Sequence, residues 1–513
     1  MIDTIKEPIR LREKTSKMLT LVDRLVDTFN REEIVYSHWK SNIDLAEATA
    51  GKIDLDLLVD RRSLARVQTI LSRLGFKPAV ARWGANPPSI RHYYGLDPDT
   101  QNLVHVHLFS RVLTGESYVK SHLFPFEGML LENVYYLDQL RVTSKPAELV
   151  LFTLRMFIKY GSLLDLVSVG RKRESVKGEV RWLQEGSALS EAVSLLSIHC
   201  PVINEQLFVK CVETLGSDGS LISRMILARQ VRRRLKVYAK HTYFKRLRAY
   251  VQVLWAEVRR RLGTKQKNKV LQAGGAMVAF VGADATGKST LVAETGRWLG
   301  DTFAVRIIHT GKPPSSWLTG PVNIALGLMR RLGSLRHNNH ARRQPPSNNS
   351  SPTQHKYKGL SSLLYAFRAV TLARDRQRLI LKARRWAAEG EIVICDRYPS
   401  RMIGAMDSPR LVEEPLKTGP AVTIYNRLAR LEKRLYEQIP PPDLVLKLKV
   451  SLDTAKKRNR ERNGEEGETY LEARHRQSQD WYMPGTRYVH DIDTEQPLAE
   501  TICRVKGTIW ESL

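Results

Sequence analysis

The sequence predicts an α/β protein in three parts. These are an α+β domain over residues 1–165, a basic helical connector over 166–270, and a parallel sheet covered by helices over 271–513. Three observations carry this. From about residue 271 onward, apolar strand-like runs alternate with helical patterns, as in a mainly parallel sheet. Gly282-Ala283-Asp284-Ala285-Thr286-Gly287-Lys288-Ser289 matches G-x-x-x-x-G-K-[ST], with a strand-like run before it and a helical one after. From Arg224 to Lys269, sixteen Lys or Arg stand against a single acid, Glu257.

The glycine loop names a chemistry. Ala276-Met277-Val278-Ala279-Phe280-Val281 reads as a buried strand, and Thr290-Leu291-Val292-Ala293-Glu294 as the helix that follows. Gly282 and Gly287 let the backbone turn with few side chains in the way. Successive N–H groups then form an anion cradle, reinforced by the positive end of the helix. Lys288 is placed to reach the β- and γ-phosphates of a nucleotide, and the Ser289 hydroxyl to ligate Mg²⁺. Asp284, Thr286 and Thr290 complete the expected nucleotide-binding stretch.

A second buried strand, Glu391-Ile392-Val393-Ile394-Cys395, runs into Asp396-Arg397-Tyr398. A carboxylate at the carboxyl end of a strand beside a phosphate loop suits Asp396 to orient Mg²⁺ or its water. Arg397 has the fork to clamp an acceptor phosphate. Upstream, Arg374-Asp375-Arg376 lies on a long helix aimed at the same edge, where a surface ion pair and an acceptor contact compete as readings. Further on, the strand Pro442-Asp443-Leu444-Val445-Leu446 precedes a helix with Arg458, Arg460 and Arg462, near Gly464 and Gly467. Arginines in that setting either close over the transferring phosphoryl group or form a solvated basic face. Residues 336–358, rich in Asn, Ser and Pro, read as a flexible insert.

Residues 276–513 resemble thymidylate kinases and their nucleoside-monophosphate kinase relatives. The resemblance rests on the run from Phe280 to Thr290, on Asp396-Arg397-Tyr398, and on the Pro-Asp-Leu strand with arginines after it. It implies transfer of the γ-phosphoryl group of ATP to a phosphate-bearing small-molecule or nucleotide acceptor. Lys288 and Ser289 would be ATP–Mg²⁺ contacts; Arg397, Tyr398 and Arg376 would face the acceptor; Arg458 or Arg462 would belong to a lid. The chain also departs from that family. Where thymidylate kinases carry Arg-Glu-Pro-Gly-Gly-Thr, it reads Ile307-Ile308-His309-Thr310-Gly311-Lys312-Pro313-Pro314, and Val281 replaces the Glu usual before the loop. The donor side is expected to be intact and the acceptor side rebuilt, with thymidylate not the natural acceptor.

In the first domain, Asp54 and Asp56 alternate along Ile53-Asp54-Leu55-Asp56-Leu57 and so point to one face, where two carboxylates can share a divalent cation. With Lys40-Ser41 before them and Gly75-Phe76 after a helix, residues 30–160 resemble the nucleotidyltransferase superfamily. That resemblance implies a triphosphate contact at Ser41 and metal ligands at Asp54 and Asp56. The third carboxylate of such sites is expected on Leu103-Val104-His105-Val106-His107-Leu108, which offers histidine instead. Histidine is a poor partner for Mg²⁺, which prefers oxygen.

Bulk properties frame these sites. The formal net charge of +29 calls for an anionic partner. In the connector, Phe244, Leu247, Val251, Leu254, Val258 and Leu262 recur at helical spacing between Arg232-Arg233-Arg234 and Arg259-Arg260-Arg261. Such a helix packs on a neighbouring domain, lies on an anionic membrane, or less readily binds nucleic acid. Four cysteines without a C-x-x-C pair suit a reducing cytosol, the amino terminus lacks the apolar core of a secretion signal, and no run is apolar enough to span a bilayer. A cytoplasmic protein is expected, with peripheral attachment to the inner membrane face left open. Two other functions stay open as well: a nucleotidyltransferase whose kinase-like half only binds nucleotide, and a non-catalytic membrane-surface adaptor.

Overall fold

The computed structural model describes residues 17–82, 86–115, 120–160, 173–218, 220–240, 248, 251, 255, 269–316, 319–324, 327, 360–414, 419–461 and 467–513. Arg462, the insert at 336–358 and most of 241–268 lie outside the described residues. The chain divides into two compact units, Met1–Lys265 and Gln266–Leu513.

Unit 1 begins with α1 (Thr20–Arg31). Its Leu21, Val22, Leu25, Val26 and Phe29 form the buried stripe that a 3.6-residue period dictates. A mixed sheet follows, made of β1 (Tyr36–His38), β2 (Leu55–Val59), β3 (Lys77–Ala81), β4 (Ile90–Leu96), β5 (Leu103–Phe109), β8 (Val134–Leu137) and β9 (Leu140–Thr143). These run in the order β3-β4-β5-β2-β1-β9-β8. The small hairpin of β6 (Val112–Thr114) and β7 (His122–Phe124) stands apart from it. Along β5, Val104, Val106 and Leu108 are buried while His105 and His107 take the other face, the two-residue alternation of a half-buried strand. The helix α2 (Leu64–Arg73) buries Val67, Ile70 and Leu71 in the same core as α1.

The helices that follow do not form a separate connector. α3 (Lys145–Tyr160) is buried on nearly every side. α4 (Arg173–Leu183), α5 (Ala188–His199), α6 (Glu205–Gly216) and α7 (Leu221–Arg234) share one apolar cluster with it, and Trp39, Leu58 and Phe109 of the sheet belong to the same cluster. An all-round apolar helix such as α3 demands partners on every face, and the helices after it supply them. Arg224, counted above among the basic residues, turns inward: its guanidinium donates to the Tyr160 hydroxyl at 2.5 Å and to the Ser217 carbonyl at 2.8 Å.

Unit 2 holds a short β10 (Lys269–Leu271) and a five-stranded, all-parallel sheet. The sheet comprises β11 (Met277–Gly282), β12 (Val305–His309), β13 (Ile392–Asp396), β14 (Leu444–Lys449) and β15 (Tyr488–Asp493), in the order β12-β13-β11-β14-β15. β11 is the middle strand and is buried at all six positions, which explains its unbroken apolar run. The sheet is covered by α8 (Lys288–Gly300), α9 (Leu360–Ala388), α10 (Pro420–Glu437), α11 (Leu452–Glu461), α12 (Glu468–Gln479) and α13 (Leu498–Ser512). This is the strand-and-helix layering expected from the sequence. Among the described residues, no helix is long and apolar enough to cross a membrane. Cys200, Cys211 and Cys395 are buried, and Cys503 is exposed.

Candidate functional site

Because the sheet of unit 2 is parallel, the carboxyl ends of β11, β12, β13 and β14 open onto one edge, where open α/β sheets bind ligands. The glycine loop leaves β11 there and enters α8, the strand–loop–helix arrangement of a P-loop. Gly282 has φ of 151°, and a Cβ on it would stand 2.7 Å from the Leu448 carbonyl oxygen, so no larger residue fits. Gly287 caps α8 in the left-handed region at φ of 84°. Lys288 and Ser289 occupy the first turn, with Ser289 exposed and Lys288 drawn under the loop. The Lys288 ammonium donates to the carbonyls of Gly282, at 2.9 Å, and of Ala283, and lies 3.4 Å from the Thr286 hydroxyl.

Charge accumulates around this lysine. Burial, and then the nearby Arg397 guanidinium, push its pKa down to about 8. Asp284 projects from the loop between two guanidiniums: Arg397 Nη2 lies 2.7 Å from one carboxylate oxygen and Arg474 Nε 3.2 Å from the other. Burial alone would raise the Asp284 pKa, but the charges of Arg397, Lys288 and Arg474 outweigh it and hold the carboxyl below its usual range. Arg397 also faces Asp407 at 3.6 Å. Its backbone is left-handed at φ of 70°, an uncommon conformation for a residue with a Cβ, and it directs the chain back over the loop. The Arg397 amide donates to the Phe280 carbonyl and its own carbonyl accepts from the Thr310 hydroxyl, which fixes that turn from both sides. Asp396 ends β13 opposite Phe280 in register, with His309 Nε2 at 3.8 Å. A small cleft lined by Val281, Gly282, Arg397, Met406, Asp407 and Trp481 adjoins the loop.

The structure thus gathers Asp284, Thr286, Lys288, Asp396 and Arg397 at one edge. Other expected residues do different work. Arg376 does not face an acceptor pocket. It is buried and donates to the carbonyls of Thr310 (2.9 Å), Gly311 (3.3 Å) and Asp407 (3.3 Å), and to the Tyr436 hydroxyl. A guanidinium removed from water must find such acceptors, and here it uses them to brace the backbone beside the loop. Tyr398 is likewise buried, its hydroxyl donating to the Pro440 carbonyl at 2.6 Å, so only its ring is available to line the cleft. Arg458 donates to the Thr494 carbonyl at 2.6 Å. The arginine that α11 and α12 do bring to the loop is Arg474, on α12, which sequence reasoning missed. Its segment, Tyr470-Leu471-Glu472-Ala473-Arg474-His475-Arg476, has no spacing that separates it from an ordinary solvated helix.

In unit 1 the expected carboxylate pair is present but already engaged. β2 runs parallel to β5 with Asp56 opposite His107. Asp56 accepts from His107 Nδ1 at 3.0 Å and from the Lys40 ammonium at 2.5 Å, while Asp54 meets His105 Nδ1 at 2.6 Å. His92 on β4 lies across from His107, its ring stacked on that imidazole at 4.5 Å. Lys40 therefore stands at Asp56 where a shared divalent cation was expected. Among the described residues there is no group of three or more His, Cys, Asp or Glu placed to hold a metal ion. Burial would raise the Asp56 pKa, but Lys40 and His107 hold it far below the usual carboxylate range. Burial drives His107 down to about 4, so its imidazole is neutral at neutral pH. Behind this face, Asn42 donates to both oxygens of the buried Glu148, whose pKa is raised to about 7 chiefly by burial. Ser41 adopts a left-handed conformation at φ of 57°.

One pH effect follows from Lys288. Its folded-state pKa lies below the ordinary 10.5, so the cost of holding the ammonium is fully present below about pH 8 and is relieved as pH climbs toward 10.5. A phosphate held in this loop would draw on the charged form. Affinity for ATP is therefore expected to be flat below about pH 8 and to fall above it, by up to roughly tenfold per pH unit. Titration calorimetry on both sides of that pKa measures this, and a flat profile would refute it.

No family model matches this chain, and no curated protein does. Among solved structures it is similar to two of a deoxyadenosine kinase from M. mycoides, one with bound dATP and one with dCMP and a flexible dCDP. The identities are 17% and 18%, with a TM-score of 0.26 in each case. The similarity covers 46% of this chain in both, and 98% and 100% of theirs. At such scores the likeness decides nothing about activity. The fold class of unit 2 rests on its own strand order, loop and helix.

Proposed function

We propose that unit 2 is an ATP-dependent phosphotransferase of the thymidylate kinase-like class, acting on a phosphate-bearing acceptor. The observation that carries this is the loop itself: a glycine-lined turn at the edge of a parallel sheet, with Lys288, Asp284, Arg397 and Arg474 in one charge network. The loop amides and Lys288 would hold the β- and γ-phosphates of ATP. Arg397, at the turn after β13, would hold the acceptor phosphate, and Arg474 would neutralise charge on the donor side.

Mg²⁺ fits this edge. The exposed Ser289 hydroxyl and the Asp396 carboxylate are hard oxygen donors, the kind the ion prefers. Bound there, it would neutralise phosphate charge. The rest of the work falls to the chain. Lys288 offers an ammonium already held beneath the loop. Arg397 presents its guanidinium from a rigid turn. The backbone of Thr310 and Gly311, held by Arg376, forms the rebuilt wall where thymidylate kinases differ most. That wall motivates the further reading that thymidylate is not the natural acceptor.

For unit 1 we propose a nucleotidyltransferase-like fold that binds rather than transfers, since Lys40 and the histidines of β5 engage both aspartates. Labelled ATP separates the readings. Incubation of the full chain with ATP labelled at the γ-phosphate and a panel of phosphorylated acceptors is expected to move label to an acceptor. Label at the α-phosphate is expected to stay on adenylate. Transfer from the α-position alone would overturn the assignment, and dTMP turnover at rates typical of dedicated kinases would refute the altered-acceptor reading.

A further inference from the structure

We propose that the outer face of α7, continued by Lys236 and Val237, docks on an anionic lipid bilayer. α7 is two-sided. Arg224, Leu227, Ala228 and Val231 are buried against unit 1. On the opposite side Ile222, Met225, Ile226, Arg229 and Arg233 recur at spacings of three and four, and all are exposed. Ile222 is 69% exposed and Ile226 54%, and with Met225 between them they form one contiguous apolar patch rather than scattered single residues. Val237 continues the apolar surface at 68%, and Lys236 beside it is exposed. Beyond, Val251 and Trp255 are exposed helical residues.

The composition of this face selects its occupant. Between Arg224 and Trp255 the sequence holds no acid, so no local carboxylate offsets the arginines. A nucleic acid would use the arginines and leave the isoleucines in water. A bilayer carrying anionic lipid uses both: aliphatic side chains enter the acyl boundary while guanidiniums stay among the headgroup phosphates. Charge complementarity with the lipid surface thus joins apolar burial on a single helix face. The inward turn of Arg224 supports this, because it shows that α7 has a fixed packed side and a fixed outer side.

Flotation of the full chain tests the proposal, with vesicles of phosphatidylcholine alone and of phosphatidylcholine with phosphatidylglycerol. The chain is expected to float with the anionic vesicles only, and less as salt is raised. Ile222→Ser with Ile226→Ser, and separately Arg229→Glu with Arg233→Glu, are each expected to lower the bound fraction about tenfold. All four positions are exposed, so the thermal transition of each variant should match that of the parent chain. Absence of wild-type flotation with anionic vesicles overturns the proposal. So does flotation of both variants at the level of the parent chain. Loss of a dimer in the isoleucine variant without vesicle binding by the parent would assign the face to a second copy. Loss of duplex DNA binding in the arginine variant, again without flotation, would assign it to nucleic acid.

Discussion

Lys288→Ala is expected to abolish phosphoryl transfer, lowering turnover by roughly a thousandfold or more while leaving unit 2 folded. The ammonium sits beneath a loop whose amides alone would hold phosphate weakly, and in the proposed reaction it supplies the positive charge of the loop itself. It also costs the fold something. Its lowered pKa means that burial disfavours the charge, which offsets what its hydrogen bonds to the Gly282 and Ala283 carbonyls contribute, so little net change in stability of the nucleotide-free protein is expected. Loss of activity and retention of the thermal midpoint are thus predicted together. Lys288→Met, which keeps the length of the side chain, should behave like Lys288→Ala if charge is what matters. Turnover within tenfold of the parent, in either variant, would remove the kinase reading.

Arg397→Ala has the second largest expected effect, roughly a hundredfold to a thousandfold loss of turnover. Here the fold suffers too. Arg397 neutralises Asp284 at 2.7 Å and Asp407 at 3.6 Å, and both carboxylates are largely withdrawn from water. Removing the cation leaves Asp284 to Arg474 and Lys288, and a cost of about 1–3 kcal/mol is expected in thermal or denaturant unfolding. Arg397→Lys keeps the charge but loses the fork that spans two acids, so it should recover part of the stability and little of the activity. Arg397→Gly offers a further control. It removes the same guanidinium but relieves the left-handed backbone, and should be about 1 kcal/mol more stable than Arg397→Ala. If Arg397→Ala raises KM for the acceptor while leaving that for ATP unchanged, the acceptor role is supported; an effect confined to ATP would contradict it.

How much of this was readable from the chain depends on the range of each interaction. The loop was readable because its chemistry lies within eight consecutive positions. The parallel sheet was readable because β11, and β13 as far as Cys395, are runs of buried apolar residues, as strands covered on both faces must be. The pairing of Asp284 with Arg397 was not, since it joins residues 113 positions apart. The fate of Arg376 left a trace that went unread. Ala373, Arg376, Ile380, Ala383 and Ala387 repeat at three and four along α9, and the four apolar members are core residues. A lone arginine in such a stripe points inward. Arg224 beside Leu227, Ala228 and Val231 follows the same rule on α7. In unit 1 the alternation of His105 and His107 with Val104 and Val106 was visible, but only the β2–β5 register shows which aspartate each histidine meets.

Arg376 holds its neighbours by their carbonyl oxygens at Thr310 and Gly311, never by their side chains. Its grip is therefore indifferent to the exposed side chains of His309 and Lys312, whereas the Thr310 hydroxyl bonds the Arg397 carbonyl and a Cβ on Gly311 would stand 2.7 Å from Arg397 Cδ. Those two positions are exchangeable pegs on a fixed mount: rewriting His309 or Lys312 changes the outward surface without moving the chain that presents it. Any retargeting of this protein by mutation should begin there and leave the arginine behind it alone.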